Sequence, residues 1–68
     1  MTPTEFVTAA RTECKAIRTD ADYDAWHEKW ATGESYINLP DAQAAEIDAL
    51  AEEGRDRVMA YTFPIMAG

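Results

Sequence analysis

Three aspartates at alternate positions are the residues of this chain that most strongly suggest chemistry. Asp20, Asp22 and Asp24 lie in the stretch TDADYDAWHEKW, just before His27. Carboxylates with this spacing begin calcium loops of the EF-hand type, and paired aspartates also supply the nucleophile of some phosphatases. Acidic residues are equally common in the first turn of a helix. The stretch therefore has three interpretations, namely a metal site, a phosphatase nucleophile or a helix start.

The sequence around the aspartates favours the helix start. A calcium loop counted from Asp20 requires glycine at its sixth position and glutamate at its twelfth, and these positions are Ala25 and Ala31. A phosphatase nucleophile requires a buried strand before it, whereas a charged helical segment precedes Asp20. Thr19 or Asp20 can cap a helix whose positive end attracts the acidic residues. We predict a helix that begins at Asp20, with no metal and no cofactor.

His27 and Cys14 are the other residues whose types suit catalysis. His27 shares a predicted helical face with aromatic residues and has no ligand set or nucleophile near it in sequence, so we place it at the edge of the core. Cys14 lies on a predicted apolar stripe and is interpreted as a small core residue. No acid/base pair and no glycine-rich phosphate loop is evident, and a 68-residue chain has little core to spare for a substrate pocket. We expect that the protein is not an enzyme.

The first of three predicted helices covers residues 3–18. Thr2 and Glu5 have the spacing of a capping box, and Pro3 suits the first helical position. Apolar residues recur at helical spacing along this segment and predict one buried stripe; they are Val7, Ala10, Cys14 and Ile17.

The second predicted helix covers residues 20–32 and ends at Gly33 as its C-cap. One face of this helix is aromatic; it contains Tyr23, Trp26, His27 and Trp30. We place both tryptophans in the core, but we keep Trp30 as a candidate interface residue. The reason is that so small a core buries one tryptophan more readily than two, and exposed tryptophans are frequent in interfaces.

The third predicted helix covers residues 40–62 and follows a short connecting loop, ESYINLP. Ile37 and Leu39 in this loop are expected to cover one end of the bundle. Gly54 is unfavourable in the middle of a helix, so it predicts the close approach of another element, such as a tryptophan ring. The apolar stripe of this helix contains Ile47, Leu50, Ala51, Gly54, Val58 and Tyr61.

An apolar segment follows the third helix. Pro64 predicts that the helix stops by about Thr62, and Phe63 and Ile65 continue an alternating apolar pattern. This tail either folds back onto the bundle or is covered by another chain. The fold class predicted from the sequence is therefore all-α, a single domain over residues 1–68. Its architecture is a small three-helix bundle with a short loop between helices 2 and 3 and an extended apolar C-terminal tail.

Charge is the strongest compositional signal. Thirteen acidic and six basic residues give a net charge of −7, and residues 20–68 alone hold eleven acidic and three basic residues. Contacts to phosphates need a basic face, so direct binding to nucleic acid is disfavoured. The predicted exposed acidic residues are Asp24 and Glu28 on the second helix and Asp41, Asp48 and Glu52 on the third, with Glu46 and Glu53 on its other flank. Three basic residues of the first helix, Arg11, Lys15 and Arg18, are interpreted as a solvated flank or as ion-pair partners of the acidic helices.

The sequence also indicates a compartment. One cysteine excludes an internal disulfide and fits a reducing environment. No apolar run approaches the length of a membrane span, and the first residues lack a signal-peptide pattern. We expect a cytoplasmic protein with no membrane partner.

These observations predict a protein that binds another protein, with a basic surface as the complementary partner. The sharper form of this hypothesis is an inhibitor that occupies a basic groove of a nucleic-acid-handling complex by mimicking nucleic acid. Size and charge provide an analogy with phage-encoded inhibitors of bacterial defence, including anti-CRISPR proteins, although no motif carries it. The alternative is a structural subunit of a virion, tail or homo-oligomer, held by Trp30, Phe63 and Ile65.

Overall fold

The computed structural model describes residues 1–62 and is all-α over that range. Its four helices are α1 (Pro3–Cys14), α2 (Asp20–Trp30), α3 (Gly33–Ile37) and α4 (Asp41–Thr62). The three longer helices correspond to the three predicted ones, so the predicted all-α bundle is confirmed, and α3 adds a short fourth helix. The tail residues Phe63 and Ile65 lie outside the described residues.

The start of α1 follows from local hydrogen bonds, as the sequence predicts. The Glu5 backbone N–H donates to Thr2 Oγ1 at 3.1 Å, and the Thr2 N–H donates to Glu5 Oε1 at 2.8 Å. This is the reciprocal capping box, with Pro3 at the first helical position. The backbone bond to Thr2 lowers the pKa of Glu5, because it favours the ionised carboxylate.

The end of α1 differs from the prediction. The helix stops at Cys14 and not near Arg18. The chain then forms two tight turns. The N–H of Ala16 donates to the Glu13 carbonyl at 3.0 Å, and the N–H of Ile17 donates to the Cys14 carbonyl at 3.1 Å. Further along, the chain reaches Thr19 in the extended conformation of an N-cap.

The aspartate stretch begins α2, as predicted. Thr19 is the N-cap, and its Oγ1 accepts from the Asp22 N–H at 3.1 Å. The Asp22 carboxylate accepts in return from the backbone N–H groups of Thr19 at 3.3 Å and Arg18 at 3.2 Å. Asp22 therefore serves a capping role in the fold.

The end of α2 is two residues earlier than predicted. The helix stops at Trp30 with Ala31 as its C-cap, whose N–H donates to the His27 carbonyl at 2.8 Å. Gly33 has a φ of 87°, which is the left-handed region that favours glycine, but it begins α3 and does not cap α2.

The segment predicted to be a loop contains α3. Its last turn is closed by the N–H of Asn38, which donates to the Glu34 carbonyl at 3.0 Å. Tyr36 holds the short helix against α4, since its hydroxyl donates to Asp48 Oδ1 at 2.7 Å. The expectation that Ile37 covers the bundle end is wrong, because this residue points to solvent with 74% of its surface exposed. Leu39 does pack against the core.

The longest helix, α4, agrees with the prediction to within one residue. The carbonyl of Pro40 accepts from the Ala44 N–H at 2.9 Å, so this proline stands immediately before the helix and not inside its first turn. Tyr61 does not continue the buried stripe, because it is 55% exposed. The α4 surface otherwise supplies the buried side of the bundle through Ile47, Leu50 and Val58.

The core lies where α1, α2 and α4 meet. Its fully buried members are Val7, Ala10, Cys14, Ile17, Trp26, Trp30, Ile47, Leu50 and Val58. Trp26 Nε1 donates to the Ala10 carbonyl at 2.9 Å, which satisfies the indole within the core. Among the described residues, no helix is long and apolar enough to cross a membrane.

Gly54 provides the close approach that the sequence predicts, although its neighbours are not tryptophans. A Cβ placed at this position would lie 3.0 Å from Ile17 Cδ1 and 3.1 Å from Tyr23 Cδ1. The missing side chain therefore lets the loop after α1 and the first turns of α2 pack directly on the α4 backbone. This crossing positions Tyr23 at the groove between α2 and α4.

Candidate functional site

The basic side chains of this acidic protein mostly contact other parts of the chain. Arg11 forms an ion pair with Glu46 of α4 at 3.2 Å, so for this residue of the α1 flank the ion-pair alternative is correct. Lys29 pairs with Glu13 at 2.9 Å. Within residues 1–62, Glu13 and Glu46 are the only two of the thirteen acidic residues that form an ion pair. Most of the carboxylates are thus left to solvent.

The arginines near the other end of the bundle contact aromatic rings and backbone carbonyls. The Arg18 guanidinium lies 5.6 Å from the centre of the Tyr61 ring. Arg57 donates to the carbonyl of Ile17 at 3.4 Å and to that of Lys15, which are the groups left without helical partners beyond the end of α1. These contacts use positive charge to hold the fold together.

One flank of α4 carries Asp48, Glu52 and Arg55, which are four and three residues apart and therefore lie side by side. Asp48 accepts the Tyr36 hydroxyl of α3, and the Arg55 guanidinium lies 6.0 Å from the centre of the Tyr23 ring of α2. Because both ends of this row contact α2 or α3, the flank faces those two helices.

The facing side of α2 is also acidic. Asp24 and Glu28, one turn apart, line a groove of about 480 Å³ together with His27 and with Arg55 of α4. On the α4 side Arg55 lines this groove, and Asp48 and Glu52 lie on the same flank of α4 as Arg55. We call this surface the acidic face and define it by Asp24, Glu28, Asp48 and Glu52.

The other predicted site residues lie elsewhere. Asp41 is on the same flank of α4, but in its first turn, seven residues before Asp48. Glu53 lies on the opposite flank with Glu46, towards α1, and its charge raises the pKa of Cys14 in addition to the larger effect of burial.

Trp30 is not an exposed interface residue. Only 6% of its surface is accessible, because the Phe6 ring packs against it edge-on with centroids 5.0 Å apart. Its Nε1 donates to Glu13 Oε1 at 3.2 Å, so its polar atom is also satisfied within the chain. The prediction that both tryptophans lie in the core is confirmed, and the alternative of a partly exposed Trp30 is wrong.

Sequence reasoning did not include Tyr23 and Arg55 in the candidate site. Tyr23 was assigned to the aromatic face of α2, and that face does pack on the core, but its ring also borders the groove. The sequence could have placed Arg55 on the flank of Asp48, because Arg55 lies seven residues, or two helical turns, after it. What the spacing could not show is which neighbouring helix that flank faces.

The one thiol of the chain lies in the core. Cys14 is buried, its Sγ lies 3.4 Å from the Leu50 carbonyl, and burial raises its pKa. Over residues 1–62, no three histidine, cysteine or acidic side chains converge in a way that could hold a metal ion. The arrangement that the described residues do offer is a charged surface with a groove.

Comparison of the chain with protein-family models, with curated proteins and with solved structures gave no match.

Proposed function

We propose that this protein is a binding module whose acidic face docks on a basic surface of another protein. The observation that carries the proposal is the arrangement of its charges. Asp24 and Glu28 of α2 line a groove, and Asp48 and Glu52 lie on the flank of α4 whose Arg55 lines the same groove. None of these four carboxylates forms an ion pair among the described residues. Negative charges that remain unpaired on one surface attract a positively charged partner and accelerate its association.

The sharper proposal is an inhibitor of a nucleic-acid-handling complex. In each pair the two carboxylates are one helical turn apart, an advance of about 6 Å along the helix. Two such rows beside a groove present repeated negative charge, which is the feature by which basic nucleic-acid-binding surfaces recognise a phosphate backbone. In this proposal the protein acts in the cytoplasm, as a phage-encoded anti-defence protein of the anti-CRISPR kind would act in its host.

Two charge-matched variants test the acidic face. Glu28→Lys/Glu52→Lys reverses two charges of the acidic face, whereas Glu34→Lys/Glu53→Lys reverses two exposed charges outside it, one on α3 and one on the opposite flank of α4. Both variants change the net charge from −7 to −3. Asp48 is kept in both, because replacing it would also remove the bond from Tyr36 and confuse binding with folding.

The assay is affinity purification from an extract of the native host, at low and at high salt, followed by mass spectrometry. We expect the wild type and the control variant to retain the same nucleic-acid-binding protein at low salt and to release it at high salt. The acidic-face variant should lose it, and a DNA oligonucleotide should compete with the wild type. Equal retention by both variants, with helical circular dichroism unchanged, would contradict the proposal.

A second candidate function is that of an assembly subunit. Met59 and Tyr61, in the last turns of α4, are each 55% exposed and thus offer apolar surface to another chain or to a second copy. Size-exclusion chromatography at high salt tests self-association with two variants, Met59→Ser/Tyr61→Ser and a truncation after Thr62. A self-associated wild type and a monomeric form of either variant would favour assembly from copies of this chain, and a monomeric wild type would rule that out.

A further inference from the structure

Among the described residues, Arg55 is the one arginine or lysine that lines the groove beside the acidic face. It lines the 480 Å³ groove with Asp24 and Glu28, and it also lines a neighbouring cavity of about 130 Å³ with Asp20 and Asp24. Despite these carboxylates, it forms no ion pair within the described part of the chain. Arg55 instead contacts the Tyr23 ring, whose centre lies 6.0 Å from the guanidinium carbon.

The Tyr23 ring is held in place by its surroundings. One edge lies against the bare backbone of Gly54, and the His27 ring is 5.7 Å away, measured between centroids. The ring also lines both cavities. A fixed aromatic surface with carboxylates around it attracts a cation, and a planar guanidinium suits it better than an ammonium group.

We infer that Arg55 occupies the position at which an arginine of the partner binds, and that the partner's arginine displaces it. This inference rests on the proposed function. A solvent-accessible contact between a cation and an aromatic ring is weak, and Arg55 loses no ion pair when it swings away. The displaced Arg55 guanidinium becomes hydrated, and the partner's arginine stacks on Tyr23 near Asp20 and Asp24. Arg55 is therefore a specificity-determining residue that disfavours partners unable to replace it.

The test compares Arg55→Gln with Lys15→Gln. Each variant removes one positive charge and changes the net charge from −7 to −8, but Lys15 is exposed at the end of α1, away from the groove. The probe is a nona-arginine peptide, titrated at low salt by calorimetry. Because Arg55 no longer competes, we expect Arg55→Gln to bind the probe about two- to fivefold more tightly than Lys15→Gln does. A nona-lysine peptide of equal charge should gain less.

Displacement can also be observed in the unaltered protein by NMR. The Nε–H resonance of Arg55 and the ring protons of Tyr23 should shift as nona-arginine is added. The Nε–H of Arg57 is the internal control, because it donates to the Ile17 carbonyl and is expected to stay in place.

The possible results separate this inference from the proposed function. If Arg55→Gln and Lys15→Gln bind the probe equally, or if the Arg55 resonance is unchanged in the saturated complex, the displacement is wrong although the acidic face can still be the docking surface. If Arg55→Gln increases the affinity for nona-lysine as much as the affinity for nona-arginine, the site has no preference for arginine. If Glu28→Lys/Glu52→Lys binds nona-arginine as tightly as the wild type, then the acidic face itself is not the binding surface, and the inference fails with it.

Discussion

The crossing at Gly54 gives the most direct test of how the bundle is packed. Replacing Gly54 with alanine introduces a Cβ that would stand 3.0 Å from Ile17 Cδ1 and 3.1 Å from Tyr23 Cδ1. Both distances are shorter than ordinary van der Waals contact. The Tyr23 ring borders the groove but is packed against Gly54 and His27. Ile17 is only 2% exposed and has core atoms around it.

Two opposing effects determine the stability of Gly54→Ala. Alanine is favoured over glycine inside a helix by about 1 kcal/mol. Inserting a methyl group into a filled core costs about 1–3 kcal/mol when its neighbours cannot move. Because Ile17 is enclosed, we expect crowding to prevail, with a net loss of about 1 kcal/mol. For a domain of this size that loss lowers the melting temperature by about 4–8 °C.

A double-mutant cycle isolates the crowding. Ile17→Val removes the Cδ1 that the new Cβ would meet, and by itself it costs about 0.5–1.5 kcal/mol. In the combination with Gly54→Ala the contact with Cδ1 is absent and only the contact with Tyr23 remains. The two changes should therefore be non-additive, with a favourable coupling of about 1 kcal/mol. Ala49→Gly, on the exposed side of α4, measures the helix-propensity effect alone. Urea unfolding followed by circular dichroism provides all the free energies.

Crowding at Gly54 is incompatible with one combination of results. If Gly54→Ala stabilises the protein by as much as Ala49→Gly destabilises it, and the cycle with Ile17→Val is additive, then no crowding exists at this crossing. Gly54 would then have no role in bringing Ile17 and Tyr23 onto α4.

Three further perturbations follow from individual contacts. Arg57→Ala should lower the free energy of unfolding in urea by about 1–2 kcal/mol, because two carbonyls after α1 lose a charged donor; an unchanged value would show that water replaces the guanidinium without loss. Lys29 and the Trp30 indole donate hydrogen bonds to Glu13 and lower the pKa of its carboxyl group in the folded protein. The ionised Glu13 therefore stabilises the fold above the usual glutamate pKa of about 4.3, and this stabilisation is lost as the pH falls through the lowered pKa of the folded state. Tryptophan fluorescence should report this step in the wild type and not in Glu13→Gln, and an identical titration in both proteins would contradict the assignment. Tyr36→Phe removes the bond to Asp48 and should speed hydrogen exchange of the α3 amides at nearly constant melting temperature, whereas unchanged exchange would mean that the bond does not hold α3.

Local sequence determined where the first two helices begin. Thr2 with Glu5 and Thr19 with Asp22 are capping boxes that act over three residues, so they need no information from the rest of the chain. The same local chemistry explains why the aspartate stretch was interpreted correctly as a helix start. The periodicity of apolar residues also placed all nine buried core side chains on apolar helical faces. Trp30 lay on such a face but was in addition kept as an interface candidate.

Helix ends were predicted less well, because they depend on contacts between distant residues. The stripe that includes Ile17 continues past Cys14, and nothing near Arg18 in sequence indicates that Arg57, some forty residues away, satisfies the carbonyls after α1. Similarly, α3 gains the bond from Tyr36 to Asp48 only after α4 is in place. A segment of five residues has little helical stability of its own, so tertiary contacts decide whether it forms.

The sequence by itself determined the charge, the helical class and the flank of each helix on which the acidic residues lie. Only the tertiary structure decided that Asp24 and Glu28 border the same groove as the α4 flank of Asp48, that Glu53 is turned away from it, and that Trp30 is buried. The physical reason is that helical periodicity fixes the angle of a side chain about its own axis. Which neighbour that side chain meets is fixed by how the helices cross, and here the crossing depends on the close contact at Gly54.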